Sequence, residues 1–160
     1  MKLLLNYRLT VPPEERRALE AISPGLEIDE QPARPAEALN GAGVTVLVSD
    51  HVPRDLGGWP ALRWVQLLAA GANHLRGHPI LESSLPVTTA SGLHGVPIAQ
   101  FVTCTWLAMA HRMGEVLEFE RSRRWPDRVS LAGITVRGLT AGIVGYGSIG
   151  RECARQLAAL

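Results

Sequence analysis

The sequence is poor in several kinds of residue whose abundance would point to a class of protein. Of 160 residues only two are cysteines, aromatic residues make up 5%, and sixteen basic side chains against fifteen acidic ones leave a net charge of +1. Without a basic surplus or a basic run, nothing indicates a nucleic-acid partner. Cys104 and Cys153 share no metal-ligand or redox spacing, and both fall in apolar helical patterns. We therefore expect buried, reduced thiols in a reducing compartment, the cytoplasm.

Long apolar runs and metal-ligand clusters are also scarce. The longest mostly apolar run, Val96–Ala110, is shorter than the roughly 18 to 20 residues that span a membrane, so we expect a buried helix and no membrane partner. Met1–Thr10 has a short apolar patch without a small-residue cleavage site, which is typical of a first strand rather than a signal peptide. His74 and His78 are spaced by four, but a neighbouring glycine and proline favour a loop, so we predict no metal site.

Short β-rich runs alternate with helical patterns over the first ninety or so residues. This alternation predicts an α/β fold in which a parallel sheet is connected by helical crossovers. The expected strands are Lys2–Tyr7, Leu26–Ile28, Val44–Ser49, Arg63–Leu68 and Val87–Ala90, and the expected helices are Pro12–Ile22 and, more weakly, Pro35–Leu39.

The longest predicted helix begins at Pro97, because proline suits the first helical turn. From Ile98 to about Arg123 the sequence contains no predicted break. The first half is apolar almost all round, whereas the second half, from His111 onward, is amphipathic. A helix with this pattern suits a connector between two domains. Trp125 and the two residues after it are expected to follow its end.

A glycine-rich segment follows the next apolar run. Ala141–Val144 is predicted to be a strand, it leads into Gly145-Tyr146-Gly147-Ser148-Ile149-Gly150, and Arg151–Leu160 has a helical pattern. In a dinucleotide site the first glycine permits a tight turn, the second leaves room for the pyrophosphate and the third lets the helix pack closely. The free N–H groups of the helix would then face the phosphates. The segment predicts NAD or NADP binding through these six residues. A glycine-rich turn of another α/β protein is the alternative.

Four segments together carry a resemblance to one family: Leu62–Gln66 with Ala69–Asn73, Gly95–Val102, Trp125, and Val136–Gly150. The chain resembles the D-isomer-specific 2-hydroxyacid dehydrogenase family from about residue 44 to its last residue. The resemblance implies a flavodoxin-like substrate domain with a parallel sheet over residues 1–95 and an interdomain helix over residues 96–123. Residues 124–160 would then be the first β-α unit of an incomplete, NAD(P)-binding Rossmann domain.

The resemblance also implies roles for particular residues. The N–H groups of Ala70, Gly71 and Ala72 would hold the substrate carboxylate, which a glycine turn after a strand suits physically. His94 and Ile98 would line the nicotinamide end of the cleft. A simple turn glycine and a solvated loop histidine remain the alternatives for Gly71 and His94. The family commonly has Glu where this chain has a glutamine at position 100, and we infer no change of activity from that difference.

The activity implied is hydride transfer between NAD(P), with NAD the preferred cofactor, and a D-2-hydroxyacid or the matching 2-keto acid. The family's full-length members are expected to be homodimers. Their catalytic histidine, acidic residue and arginine match no residue here, so we predict no catalytic residue and an inactive fragment. Two alternatives stay open: a non-catalytic nucleotide-binding or dimerisation module, and another Rossmann enzyme built on the same two-domain plan.

Overall fold

The computed structural model describes residues 1–8, 10–31, 34–123 and 130–160, and the chain divides into two compact units, Met1–Ser91 and Gly92–Leu160. The described residues form five β-strands and four α-helices. Trp125, and with it the helix break predicted around that residue, lies outside the described residues.

The first unit contains a five-stranded sheet in the order β2-β1-β3-β4-β5, and every pair of neighbouring strands is parallel. This is the flavodoxin-like strand order, with its switch point between β1 and β3, so the predicted parallel α/β fold is confirmed. The elements of the unit are β1 (Lys2–Asn6), α1 (Pro13–Ile22), β2 (Glu27–Gln31), β3 (Val46–Val48), β4 (Trp64–Gln66) and β5 (Val87–Thr88), with 3-10 helices at Ala36–Ala38, Asn73–Leu75 and Pro79–Glu82.

The core of this unit lies on one face of the sheet. Leu4, Leu47 and Val65 stand side by side on β1, β3 and β4, and all three are fully buried. Burying each such side chain contributes roughly 1.5 to 3 kcal/mol. Trp59 and Leu75, from the connecting loops, pack against the same face. The core therefore holds β3 and β4 rigidly, which fixes where the loops at their carboxyl ends begin.

The second unit is helical among its described residues. It contains α2 (Gly95–Ala110), α3 (Met113–Ser122) and α4 (Ser148–Leu157). Helices α2 and α4 pack against each other, and the Thr103 hydroxyl lies 3.3 Å from Oε1 of Gln156 between them. Within the ranges that the structure describes, no helix is long and apolar enough to cross a membrane.

The prediction of one unbroken helix to about Arg123 is wrong. The helix ends at Ala110, and Arg112 adopts a left-handed backbone conformation, φ 53°, before α3 begins. The cause is a tertiary contact, because the carbonyl of Ala110 accepts a hydrogen bond from the N–H of Ile134 at 2.9 Å. Gly133 packs so closely on Ala110 that a Cβ there would clash with the same carbonyl. The pattern of helix-forming residues could not predict this end of the helix, because it depends on contact with a segment that is distant in sequence.

Two further expectations for the second unit are wrong. Ala141–Val144 pairs with no strand among the described residues, and the Val144 side chain is fully exposed. A β-strand requires a neighbouring strand for its hydrogen bonds, and local sequence does not report whether one is present. Cys104 is exposed rather than buried, because α2 buries Ala99 and leaves much of the rest of the helix's apolar surface open to solvent. Cys153 is buried, as expected.

Candidate functional site

The loop of residues 69–72 lies at the carboxyl end of β4. Its first residue is held by two hydrogen bonds, from the Ala69 N–H to Oδ1 of Asp50 at 2.8 Å and from the Ala90 N–H to the Ala69 carbonyl at 3.0 Å. Within the described part of the chain, no acceptor takes the N–H groups of Ala70, Gly71 and Ala72. Three successive free donors at the carboxyl edge of a parallel sheet form a place that suits an anion.

A buried polar network holds the neighbouring strand ends at the switch point. The Asn6 amide donates to Oγ of Ser49 at 2.9 Å and to the Arg34 carbonyl at 3.0 Å, and its oxygen accepts the Arg34 N–H at 2.8 Å. Ser49 in turn accepts from the N–H of His51 and donates to the carbonyl of His51. Because Asn6 and Ser49 are nearly inaccessible to solvent, these bonds fix the backbone that presents residues 50 and 51.

The glycine loop of the second unit has the local geometry that its spacing predicts. Gly145 has φ 91°, a conformation that side chains disfavour, and a Cβ on Gly150 would clash with the Gly145 carbonyl. Gly147 precedes the first turn of α4 and has open space where a Cβ would be. Among the described residues nothing accepts the N–H groups of Ser148 and Ile149, so these donors at the helix N-terminus remain available.

A cavity of about 460 Å³ borders this loop. The N-terminus of α2 lies next to it, because a Cβ on Gly95 would be in contact with the Ser148 carbonyl at 3.4 Å. His94 is the residue immediately before α2, and Ile98 lies in its first turn. The structure therefore brings the predicted residues His94 and Ile98 to the same end of the second unit as the glycine loop.

A polar network supports the helix that follows the loop. Glu152 accepts hydrogen bonds from Nε of Arg155 at 3.0 Å and from Nε2 of Gln156 at 2.9 Å. These bonds lower the pKa of Glu152 from its ordinary 4.5 to about 2. Since Gln156 also meets Thr103 of α2, the network connects the two helices that flank the glycine loop.

Two supporting residues were missed at the level of sequence. Asp50 anchors the loop at residue 69, and its signal was present, because an acidic residue directly after a buried strand of a parallel sheet marks the functional edge. Gly95 meets α4, and nothing in its local sequence pattern could have indicated that contact.

The histidines of the described residues form no catalytic pair. Only the His78 ring makes hydrogen bonds, to the Val52 carbonyl and the Ile80 N–H, and none of the described bonds joins a histidine ring to a carboxylate. Among the same residues, no group of three or more metal-ligating side chains is placed to hold a metal ion.

A flavodoxin-like parallel sheet joined to a glycine loop at a helix N-terminus defines the class of dinucleotide-dependent α/β proteins. Residues 103–160 match the family described as D-isomer specific 2-hydroxyacid dehydrogenase, NAD binding domain. The chain is also 35% identical, over 123 residues, to an (S)-sulfolactate dehydrogenase of Chromohalobacter salexigens, covering 73% of this chain and 39% of that one. Residues 103–160 therefore belong to the D-isomer specific 2-hydroxyacid dehydrogenase family, through its NAD binding domain.

Solved structures show the same fold. An NADPH-dependent glyoxylate/hydroxypyruvate reductase from Sinorhizobium meliloti, in complex with NADP and sulfate, matches with a TM-score of 0.69 and 24% identity over 99% of this chain and 49% of that one. A family member from Aeromonas salmonicida matches with a TM-score of 0.74 and 23% identity over 99% of this chain and 50% of that one. The chain thus spans about half the length of the solved structures it matches.

Proposed function

We propose that this chain supplies the substrate-carboxylate loop and the phosphate-binding loop of an NAD(P)-dependent oxidoreductase that acts on 2-hydroxyacids or 2-keto acids. In this proposal the N–H groups of residues 70–72 bind the substrate carboxylate. Gly145–Gly150 binds the pyrophosphate, while His94 and Ile98 flank the nicotinamide. These residues would thereby place a bound NAD(P) where it would supply or accept a hydride at C2 of the substrate. Residues 1–95 would be the substrate domain, 96–123 the connecting segment and 124–160 the start of the cofactor domain.

The open space beside Gly147 is the observation that best supports cofactor binding in this proposal. A Cβ on Gly147 would meet no atom of the described residues, and the backbone there has no positive φ, so the described part of the fold does not require glycine. Gly150, by contrast, is required by packing. A glycine that the fold leaves unexplained, beside the free N–H groups of α4, is what close approach of a pyrophosphate requires.

The substitution Gly147→Ala tests this directly. We expect the variant to fold like the wild type, and to lose roughly tenfold or more in affinity for NADH and ADP-ribose, because the methyl group occupies phosphate space. Isothermal titration calorimetry measures the affinity and circular dichroism checks the fold. Gly142→Ala is the matched control, since its Cβ also meets nothing and it lies outside the loop. Equal affinity in wild type and Gly147→Ala would refute the assignment.

We further propose that the isolated chain has no dehydrogenase activity. Among the described residues no histidine ring is hydrogen-bonded to a carboxylate, the pairing that commonly orients a histidine general base. This observation equally favours a second candidate, a non-catalytic nucleotide-binding module. Protein-dependent NADH formation from any 2-hydroxyacid by the purified chain would contradict both. The unpaired thiols, Cys104 and Cys153, support our proposal of a cytoplasmic location.

A further inference from the structure

A cavity of about 440 Å³ in the first unit is lined by residues that hold or follow the loop of residues 69–72. Asp50 lines it and also accepts the Ala69 N–H at 2.8 Å. His74, two residues beyond the loop, lines it as well. Through these two residues the cavity lies next to the loop, although none of residues 69–72 lines it. The cavity is therefore the candidate space for the part of a ligand that extends beyond a carboxylate held by the N–H groups of Ala70 to Ala72.

The polar groups of the cavity suit a hydroxyl group. The His78 ring is buried, and both of its nitrogens already make hydrogen bonds. One nitrogen bonds to the Val52 carbonyl at 3.1 Å and the other accepts the Ile80 N–H at 3.2 Å. The rings of His51 and His74 have no such partners among the described residues. A neutral imidazole offers one donor and one acceptor, as a hydroxyl group does, so the two match each other.

The charges of the cavity oppose a second anion. Glu37 and Asp50 are the acidic residues of its lining, which includes no lysine or arginine among the residues that the structure describes. A ligand with a carboxylate or sulfonate at this end would face like charges without a compensating cation. A second, larger cavity, of about 530 Å³, borders Leu68, the residue before the loop. Although Arg8 and Glu30 also line it, half of its described lining is leucine and valine, so it suits an apolar group better than the first cavity does.

We propose that the cavity lined by Glu37, Asp50, His51 and His74 selects the substrate side chain, admitting a neutral hydroxyl group at C3 and disfavouring a second anion there. The inference rests on the proposed function of the loop at residues 70–72. The preferred ligands are then 2,3-dihydroxyacids and their 2-keto counterparts. This specificity differs from that named for the (S)-sulfolactate dehydrogenase relative, since sulfolactate carries a sulfonate.

Glycerate, 3-sulfolactate, malate and lactate form a matched series, because they share the carboxylate and the C2 hydroxyl and differ only at C3. Each is titrated, as both enantiomers, into the 160-residue chain. The amide signal of Gly71 reports anion binding at the loop, and the imidazole signals of His51 and His74 report the cavity. His111, in the second unit and outside both proposed binding loops, is the internal control.

We expect glycerate to shift the signals of His51 and His74 and to bind at least roughly threefold more tightly than 3-sulfolactate and malate, since like charges repel in a partly exposed site. Asp50→Asn retains an oxygen that accepts the Ala69 N–H but removes the charge, and Glu37→Gln removes the other charge. Each is expected to improve 3-sulfolactate binding by roughly threefold to tenfold relative to glycerate.

Three results would overturn the inference. If 3-sulfolactate binds as tightly as glycerate, the charge argument fails. If lactate binds most tightly, the apolar cavity receives the side chain instead. If Gly71 responds while His51 and His74 do not, the side chain lies elsewhere, although the loop keeps its proposed role. A silent Gly71 with every ligand refutes the loop assignment itself, which distinguishes failure of the proposed function from failure of this inference.

Discussion

At the scale of single residues, the three glycines of the glycine loop differ in the structural reason that requires them. Gly145 is fixed by its positive φ, Gly150 by packing on the Gly145 carbonyl, and Gly147 by neither. The sequence spacing predicted all three positions. It could not separate the glycines that the fold requires from one that the fold leaves unexplained, because that distinction depends on which atoms lie beside each Cα.

Gly150→Ala is expected to destabilise the second unit without reference to any ligand. The added methyl group would clash with the backbone carbonyl of Gly145 and press on the Ile143 side chain, so the helix must move. Overpacking of this kind costs about 1 to 3 kcal/mol. Urea unfolding followed by circular dichroism measures the loss, with Gly142→Ala as the variant that should leave stability unchanged. A wild-type unfolding curve for Gly150→Ala would show that the helix does not pack as described.

The Glu152 carboxyl is expected to titrate near pH 2, in contrast to its ordinary value of 4.5. Because its pKa is lowered in the folded state, its contribution to stability is present above pH 4.5 and is lost as the pH falls through about 2. Arg155→Gln removes the main cause and should raise the pKa of Glu152 toward its ordinary value. Carbon-detected NMR titration of the carboxyl measures this, and Arg121→Gln, on the exposed face of α3, should leave it unchanged. A midpoint near 4.5 in the wild type would mean that the Arg155 bond does not persist in solution.

At the scale of elements, the sequence predicted those whose signal is local. The alternating runs located all five strands, and Val46–Val48 and Trp64–Gln66 lie inside the ranges predicted for them. The sequence-based prediction was wrong where a segment distant in sequence determines whether a helix ends or a strand is paired. The helix ends at Ala110 because Ile134 binds its carbonyl, and Ala141–Val144 pairs with no described strand. The same holds for the candidate site. The sequence predicted both of its loops, but only the structure revealed the bond from Ala69 to Asp50 and the contact of Gly95 with α4.

At the scale of the whole molecule, the second unit exposes unusual apolar surface. Phe101 and Met109 on α2 are 72% and 73% exposed, and Val144 is completely exposed. Large exposed apolar patches of this kind favour association between molecules. We therefore expect the chain to form dimers or larger species at tens of micromolar, and we propose a homodimer for the full-length protein.

Phe101→Ser is expected to weaken this association without unfolding the chain, because the side chain makes little contact within it. Light scattering with size-exclusion chromatography measures the species present, and Glu118→Gln on α3 is the control that should leave them unchanged. A clean monomer for the wild-type chain at tens of micromolar would show that the exposed apolar face of α2 drives no self-association.

Amide chemical shifts distinguish the two proposed binding loops, one for the substrate carboxylate and one for the cofactor phosphates. In the 160-residue chain, we expect ADP-ribose to shift the amide signals of Gly147, Ser148 and Gly150 and to leave Gly71 unmoved. We expect a small 2-hydroxyacid to shift Gly71 and to leave the glycine loop unmoved. Shifts confined to other residues, or the same residues responding to both ligands, would show that the two loops do not bind substrate and cofactor separately.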